Sequence, residues 1–402
     1  MEKSKNKSNF CIRPFNSASI YSTGDIAICC EIDSKSTKFK NYPEDNIKNT
    51  DVETWWKSDY LNYVRESFLK NKKLHECRAC WKLEDNGFAS HRTRGNQQHK
   101  TIFKNKYETN LSLSGKNNLS FPEDIELQVG NLCNLKCQMC RGSDSSKLLV
   151  ENNALGFEKS NQRDYELSKD DHSKITNLAN HDLKIVTLMG GEPLINKEII
   201  NFLKLLIKNG KSQSILLHIT TNGTKCDDDI LNILRKFKHL RLMISAEGIG
   251  KCNEYLRFPS KWENIKNNIV QFKKLSNAYI YINTVVQNLN ILYVHQLVEL
   301  AYENNFFIKF EKIRKPYYLD IFNLPKHLLQ EAHRRLSKIE KKKLVHTENV
   351  REIIATLGKG LMSHKLNKEH YRDFVDMIKK RDNYRKIHIK DYIPELSGEI
   401  YK

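Results

Sequence analysis

The sequence predicts an α/β protein whose central part is a partial barrel or an open doubly wound sheet, with a small hairpin-plus-helix module before it and a helical extension after it. Three observations carry that expectation. From residue 120 short β-prone apolar runs alternate with helical patterns, and strand and helix in turn imply right-handed βαβ units and a parallel sheet. The first hundred residues lack this alternation but hold Cys11, Cys29, Cys30, Cys77 and Cys80. After residue 324 the pattern is helical and heavily charged, ending in Tyr392-Ile-Pro-Glu-Leu396.

In the leading module, Tyr21-Ser-Thr-Gly-Asp25 places Gly24 where a tight turn needs positive φ, between the β-prone runs Ala18–Tyr21 and Ile26–Ile28, which predicts a hairpin. A helix is expected from Thr50 to Lys70, capped by Thr50 or Asp51, with Val52, Trp55, Trp56, Leu61, Val64 and Phe68 mostly on one side. Cys77-Arg-Ala-Cys80-Trp81 follows. Residues 91–119 are polar and aperiodic, and are read as a linker or long loop. The expected division is a metal-binding module over 1–95, a linker over 96–119, a core over 120–324 and a helical extension over 325–402.

In the core, strands are expected at Ile125–Val129, Ile185–Met189, Ile215–Thr221, Leu240–Ser245, Ile280–Val286 and Phe307–Phe310. Helices are expected at Lys197–Lys208, Asp227–Phe237, Trp262–Leu275 and Ile291–Glu303. In a barrel or a doubly wound sheet alike, functional loops lie at the carboxyl ends of the strands.

The chain has 402 residues, enough for one large α/β domain and a smaller module. No apolar run approaches the roughly 18 residues of a membrane span, and the opening MEKSKNKSNFCIRPF does not resemble a signal peptide. A cytoplasmic protein with no membrane partner is expected. Its ten cysteines are then reduced thiols, and metal ligation is the default reading. The net charge of +19 raises the question of nucleic acid, since Lys and Arg neutralise phosphates. The excess is mostly Lys spread along the chain, without an aromatic-interleaved stretch or a basic recognition helix, so nucleic acid is the less favoured partner.

Cys133-Asn-Leu-Lys-Cys137-Gln-Met-Cys140 puts three thiols in eight residues directly after the first strand of the core. Three thiolates so spaced can wrap one face of a cubane and leave one iron without a protein ligand, a position open to a substrate or cofactor. A structural zinc normally takes four protein ligands. The alternatives are a zinc knuckle missing a ligand, or three buried thiols.

Over about residues 121–320 the sequence resembles the radical S-adenosylmethionine (SAM) superfamily. Cys133, Cys137 and Cys140 match its cluster loop, with Met139 in the usual hydrophobic place. Thr187-Leu-Met-Gly190-Gly191-Glu192-Pro193 ends the second strand as the family's Gly-Gly-Glu motif does. The resemblance implies a partial (β/α)6 TIM-like barrel and a SAM-binding 4Fe–4S cluster on the three cysteines. It also implies that Gly190 and Gly191 allow close backbone approach to the cofactor, while Glu192 receives the methionyl ammonium. Thr220-Thr221-Asn222-Gly223 and Ser245-Ala-Glu247-Gly248 stand where relatives carry polar residues near the ribose and methionyl group. Arg257, in Asn253-Glu-Tyr-Leu-Arg257, resembles the Arg that meets the methionyl carboxylate. Asn283-Thr-Val-Val286 matches the strand passing the adenine.

The spacing of Cys11, Gly24 and Cys29, completed by Cys77 and Cys80, resembles the opening of SPASM and twitch modules, which in most relatives follow the barrel and here precede it. The resemblance implies an auxiliary 4Fe–4S cluster on Cys11, Cys29, Cys77 and Cys80, with a four-Cys zinc site as the alternative. Cys30 could replace Cys29, but neighbours on a strand face opposite ways, so both can hardly serve one cluster. Cys226 and Cys252 are read as ordinary thiols.

The family's chemistry is reductive cleavage of SAM to a 5'-deoxyadenosyl radical that takes a hydrogen atom from the substrate, fed by a reductant such as flavodoxin or ferredoxin. A peptide or protein is the expected substrate, because SPASM and twitch modules commonly accompany peptide-modifying enzymes. The alternatives are a nucleotide or other small metabolite and, from a different class, a non-catalytic Fe–S or zinc nucleic-acid-binding protein.

Overall fold

In the computed structural model, residues 8–32, 45–102, 121–313, 315–339, 343–344 and 347–401 are described, with the backbone alone for 99–102. The chain forms two compact units that interleave along the sequence: Met1–Gly130, Arg163–Gly190 and Asn196–Leu217 in the first, and Asn131–Gln162, Gly191–Ile195 and His218–Lys402 in the second.

The first unit begins with the expected hairpin. β1 (Ser17–Ile20) and β2 (Ile26–Ala27) pair antiparallel around a turn in which Gly24 has φ +90°. β1 also pairs in parallel with β3 (Asp124–Leu127), Ser17 opposite Asp124, and β3 with β4 (Ile185–Leu188), Asp124 opposite Ile185. Ile125, Leu127, Val186 and Leu188 are buried, as inner parallel strands require. The helix Lys197–Lys208 runs as expected. Asn196 caps it by accepting from Glu198 and Ile199, and it buries Ile199, Phe202, Leu203 and Leu206, the 3.6-residue stripe.

Two expectations in this unit change. The single helix from Thr50 to Lys70 is two, Val52–Trp56 and Asp59–Leu69. Asp51 caps the first, and Ser58 stops its continuation by accepting from the amide of Leu61 and starting the second. The apolar period runs through both, so the break is marked only by the serine. The stretch read as a linker or long loop opens instead with a helix, His91–Ile102. Ser90 and Thr93 exchange hydrogen bonds at its start, and Asn96 fastens it by donating to the carbonyl of Phe10 and accepting from Ile12. Polar bonds dock this helix in place of an apolar stripe, so periodicity could not find it. Residues 103–119 lie outside the described residues.

In the second unit, β6 (His239–Ser245), β7 (Ala278–Val286), β8 (Phe307–Lys312) and β9 (Thr347–Glu348) lie side by side and parallel. β5 (Leu216–Thr221) enters this unit from His218 onward. Leu240, Leu242 and Ile244 of β6 are buried in alternation with more open positions, the period-two signature of a strand. The helices Trp262–Phe272 and Val294–Asn304 bury Trp262, Ile265, Ile269 and Phe272, and Val294, Leu297, Val298 and Ala301. The expected helical extension holds Lys326–Ser337, Val350–Met362, Lys368–Arg385 and Pro394–Ile400. The fold is the mixed α/β class expected, with parallel strands and helices between them. Among the described residues no helix is long and apolar enough to cross a membrane.

Candidate active site

The cysteine loop leaves β3 and has no regular secondary structure over 128–141 apart from turns. Cys133 and Cys137 are buried, Cys140 is partly buried, and with Leu135 and Met139 they form one cluster in the second unit. The Sγ of Cys133 accepts from the amide of Leu135 at 3.5 Å and from Asn222 Nδ2 at 3.9 Å. The thiols of Cys137 and Cys140 are hydrogen-bonded to each other. That bond brings Cys137 down to about 6 against its burial, with Arg257, Arg385 and Arg381 adding positive charge, while Cys140 is pushed up. Burial raises Cys133 to about 11.

Gly191 closes the next loop against this one. Its φ is +55°, and a Cβ there would stand 2.3 Å from the carbonyl oxygen of Leu132. No side chain fits, so the glycine is required by contact between two stretches of this chain. Glu192 follows, with its amide on the carbonyl of Leu132 at 2.8 Å. Its buried carboxylate accepts from the Thr221 hydroxyl at 2.7 Å, the Asn222 amide at 2.5 Å and the Leu194 amide at 3.1 Å. Burial pushes its pKa up against those donors. Asn222 in turn donates to Asn134 at 2.9 Å and accepts from Thr224. Gly190 falls in the first unit, where its φ is +79° and an added Cβ would stand 2.8 Å from the Cβ of Gln128.

At the end of β6, Ser245 stands opposite Asn283 of β7. Glu247 is fixed on every side. Its amide donates to Asn253, its carbonyl accepts from Asn290, and its carboxylate accepts from Val285 at 2.7 Å and from Arg257 at 2.9 Å. Burial pushes it up to about 7 despite the guanidinium. Arg257 is buried and keeps an Nε with no acceptor. The nearby thiol groups, Cys137 first, hold its pKa up against burial. A buried, unspent guanidinium donor beside three thiols fits an anionic ligand there. Among the described residues no three His, Cys, Asp or Glu side chains converge as the shell of one ion would require. A cubane takes each thiolate on a different iron, so its ligands do not share one centre.

In the first unit, Cys11, Cys29, Cys77 and Cys80 line one pocket with Phe68, His91 and Arg92. Cys77 precedes the helix Arg78–Asp85 and Cys80 lies in its first turn, so the Cys-x-x-Cys spacing turns both thiols to the same pocket. Burial pushes Cys11 up to about 11 and Cys29 to about 12. Four buried thiols lining one pocket are the donor set that a metal centre takes. Cys30 does not line that pocket; it lies 3.9 Å from Nε2 of His91 at its edge and is hydrogen-bonded to Glu126. The two neighbours do face apart, though not for the reason of strand alternation: β2 ends at Ala27, and the separation arises in the turn that follows. Cys226 bonds the carbonyl of Asn268, and Cys252 is buried against Gly248. All ten cysteines are free thiols.

The sequence reading missed Thr221, Asn134, Asn253 and Asn290, and also Arg381 and Arg385, which reach the cysteine loop from the helix Lys368–Arg385. The first four sit in or beside motifs already noted. The two arginines had no signal beyond a charged helix.

A three-thiol loop packed against the turn at Gly191 and Glu192, with a buried guanidinium near its thiols, fits the donor set expected for an iron–sulfur cluster that binds SAM. The family models agree. The chain carries a radical SAM superfamily domain, matched over residues 127–301, and an iron-sulfur cluster-binding SPASM domain, matched over residues 11–81. These domains imply a SAM-binding 4Fe–4S cluster and an auxiliary iron–sulfur cluster. Among curated proteins, the sporulation killing factor maturation protein SkfB of Bacillus subtilis is 28% identical over 171 residues, 42% of this chain and 37% of that one. The radical SAM cyclopropyl synthase TigE of Paramaledivibacter caminithermalis is 23% identical over 278 residues, 64% of this chain and 51% of that one. The chain thus spans about half or less of the length of these relatives. Among solved structures, native anSMEcpe with bound AdoMet aligns at a TM-score of 0.39 and 21% identity, over 52% of this chain and 57% of that one. SuiB of Streptococcus suis bound to the precursor peptide SuiA aligns at 0.37 and 18%, over 69% and 62%.

Proposed function

We propose that this protein is a radical SAM enzyme that modifies a peptide or protein. The observation that carries the reading is the set formed by Cys133, Cys137 and Cys140 on one loop beside the buried Arg257, whose Nε has no acceptor. In this reading the three thiolates hold the cluster, Glu192 takes the methionyl ammonium and Arg257 the methionyl carboxylate. Asn222 fixes the Cys133 side of the loop, and Ser245 and Glu247 frame the far side. The bound groups supply one-electron reductive cleavage of SAM, from which the family's hydrogen-atom abstraction follows. The chain's own part is to orient the ligand between Glu192 and Arg257 and to keep water out with buried side chains.

Cys11, Cys29, Cys77 and Cys80 hold the auxiliary cluster. Segments 1–95, 120–324 and 325–402 act as its module, the SAM core and a helical extension. A peptide or protein substrate is supported by SkfB, named for the maturation of a killing factor. The reaction takes place in the cytoplasm with a reductant such as flavodoxin or ferredoxin.

The test is anaerobic reconstitution with SAM and a strong reductant, followed by assay for 5'-deoxyadenosine. Wild-type protein releases it and Cys137→Ala does not, because two thiolates do not retain a competent cluster. Wild-type turnover by Cys137→Ala would end the assignment.

A further inference from the structure

The cysteine loop is gripped by a part of the chain that the family model, ending at residue 301, does not reach. Arg381 and Arg385 lie four residues apart on the helix Lys368–Arg385, so both point to one side. Arg381 donates through Nη1 to the Gln138 carbonyl at 3.0 Å and to the Gln138 side chain at 2.7 Å, and through Nη2 to Asn152 at 3.1 Å. Arg385 donates to the Lys136 carbonyl at 2.7 Å and pairs with Glu151 at 2.7 Å. The carbonyls on either side of Cys137 are thus each held by a guanidinium. The amides of the same two residues donate to Phe258 at 2.6 Å and Leu256 at 2.8 Å, so the backbone flanking Cys137 is fixed from both directions.

The charge around this grip does not balance. Arg381, Arg385 and Lys136 share Glu151 as their ion-pair partner, Arg381 Nε stands 3.6 Å from it without a hydrogen bond, and Arg385 Nη1 is buried without an acceptor. Burying a guanidinium is costly, and the helix has cheaper means of docking: it buries Phe374, Met377 and Ile378, and Asp382 accepts from the Tyr255 hydroxyl at 2.7 Å. An excess of buried positive charge with unspent donors suits a neighbour that becomes negative.

We propose that Arg381 and Arg385 are positioning residues for the cluster at Cys133, Cys137 and Cys140, preforming the loop before iron arrives and favouring the cluster's reduced, more negative state. The inference rests on those three cysteines being the ligands.

The experiment uses the full chain, reconstituted anaerobically, with iron content measured and the SAM-responsive electron paramagnetic resonance signal titrated against applied potential. Arg381→Gln is expected to lower the reduced-to-oxidised ratio at a given potential about tenfold, a shift of about 59 mV for one electron, and to slow iron uptake. Arg381→Lys keeps the charge and the wild-type potential. Glu151→Gln moves the potential the opposite way and serves if Arg381→Gln does not fold. Tyr255→Phe loosens the same helix without touching the grip, and leaves the potential in place. A wild-type potential in Arg381→Gln or an unmoved one in Glu151→Gln overturns the inference, as does a Tyr255→Phe shift equal to that of Arg381→Gln. A wild-type protein with no SAM-responsive signal overturns the ligand assignment itself.

Discussion

Replacement of Glu192 separates its part in the fold from the one proposed for it toward SAM. The carboxylate accepts from Thr221, Asn222 and Leu194 at 2.7, 2.5 and 3.1 Å, all within a buried site. An ionised carboxylate has about four acceptor positions, so roughly one remains for a cationic ligand. Glu192→Ala strands two buried amides and a hydroxyl, each costing about 1–3 kcal/mol, while relief of a buried charge offsets part of the loss. A net destabilisation of about 2–4 kcal/mol is expected, read as a lower urea midpoint. Glu192→Gln keeps the shape and one acceptor oxygen but loses the charge. Its SAM affinity is expected to fall about ten- to hundredfold, the worth of a charge-assisted hydrogen bond at about 1.5–3 kcal/mol. SAM binding is measured by calorimetry on reconstituted protein of equal iron content. An unchanged urea midpoint in Glu192→Ala refutes the tie to β5, and unchanged SAM affinity in Glu192→Gln refutes the ammonium contact.

Other outcomes follow from the same geometry. With Cys133, Cys137 and Cys140 all changed to Ala, about four irons per chain are expected to remain. Cys29→Ser reduces them and Cys30→Ser does not, because only Cys29 lines the four-thiol pocket; about one zinc in their place would make the site a structural clip. Glu247, raised by burial from an ordinary 4.5 to about 7, holds a proton in the folded chain that the unfolded chain has lost across that interval. Its contribution is therefore fully present below pH 4.5 and lost as pH rises to about 7, on the order of 3 kcal/mol. Glu247→Gln should flatten that slope in metal-free protein, and an unaltered slope assigns it to other groups.

The sequence alone determined the six core strands, the helix Lys197–Lys208 and the position of the cysteine loop. Apolar period and turn residues are local signals: the helix Lys197–Lys208 has an Asn cap and a regular stripe, and its bounds were legible to the residue. The three cysteines and the Gly-Gly-Glu turn were legible because their chemistry resides in residue type and spacing. The tertiary structure alone decided what depends on distant partners. The helix His91–Ile102 docks by polar bonds to Phe10 and Ile12, which no periodicity records. That Cys29 lines the four-thiol pocket turns on the bend after Ala27. The grip of Arg381 and Arg385 on the cysteine loop spans more than 240 residues. Two of their acceptors, on Lys136 and Gln138, are backbone carbonyls, which every residue carries, so only folding could reveal which ones these arginines reach.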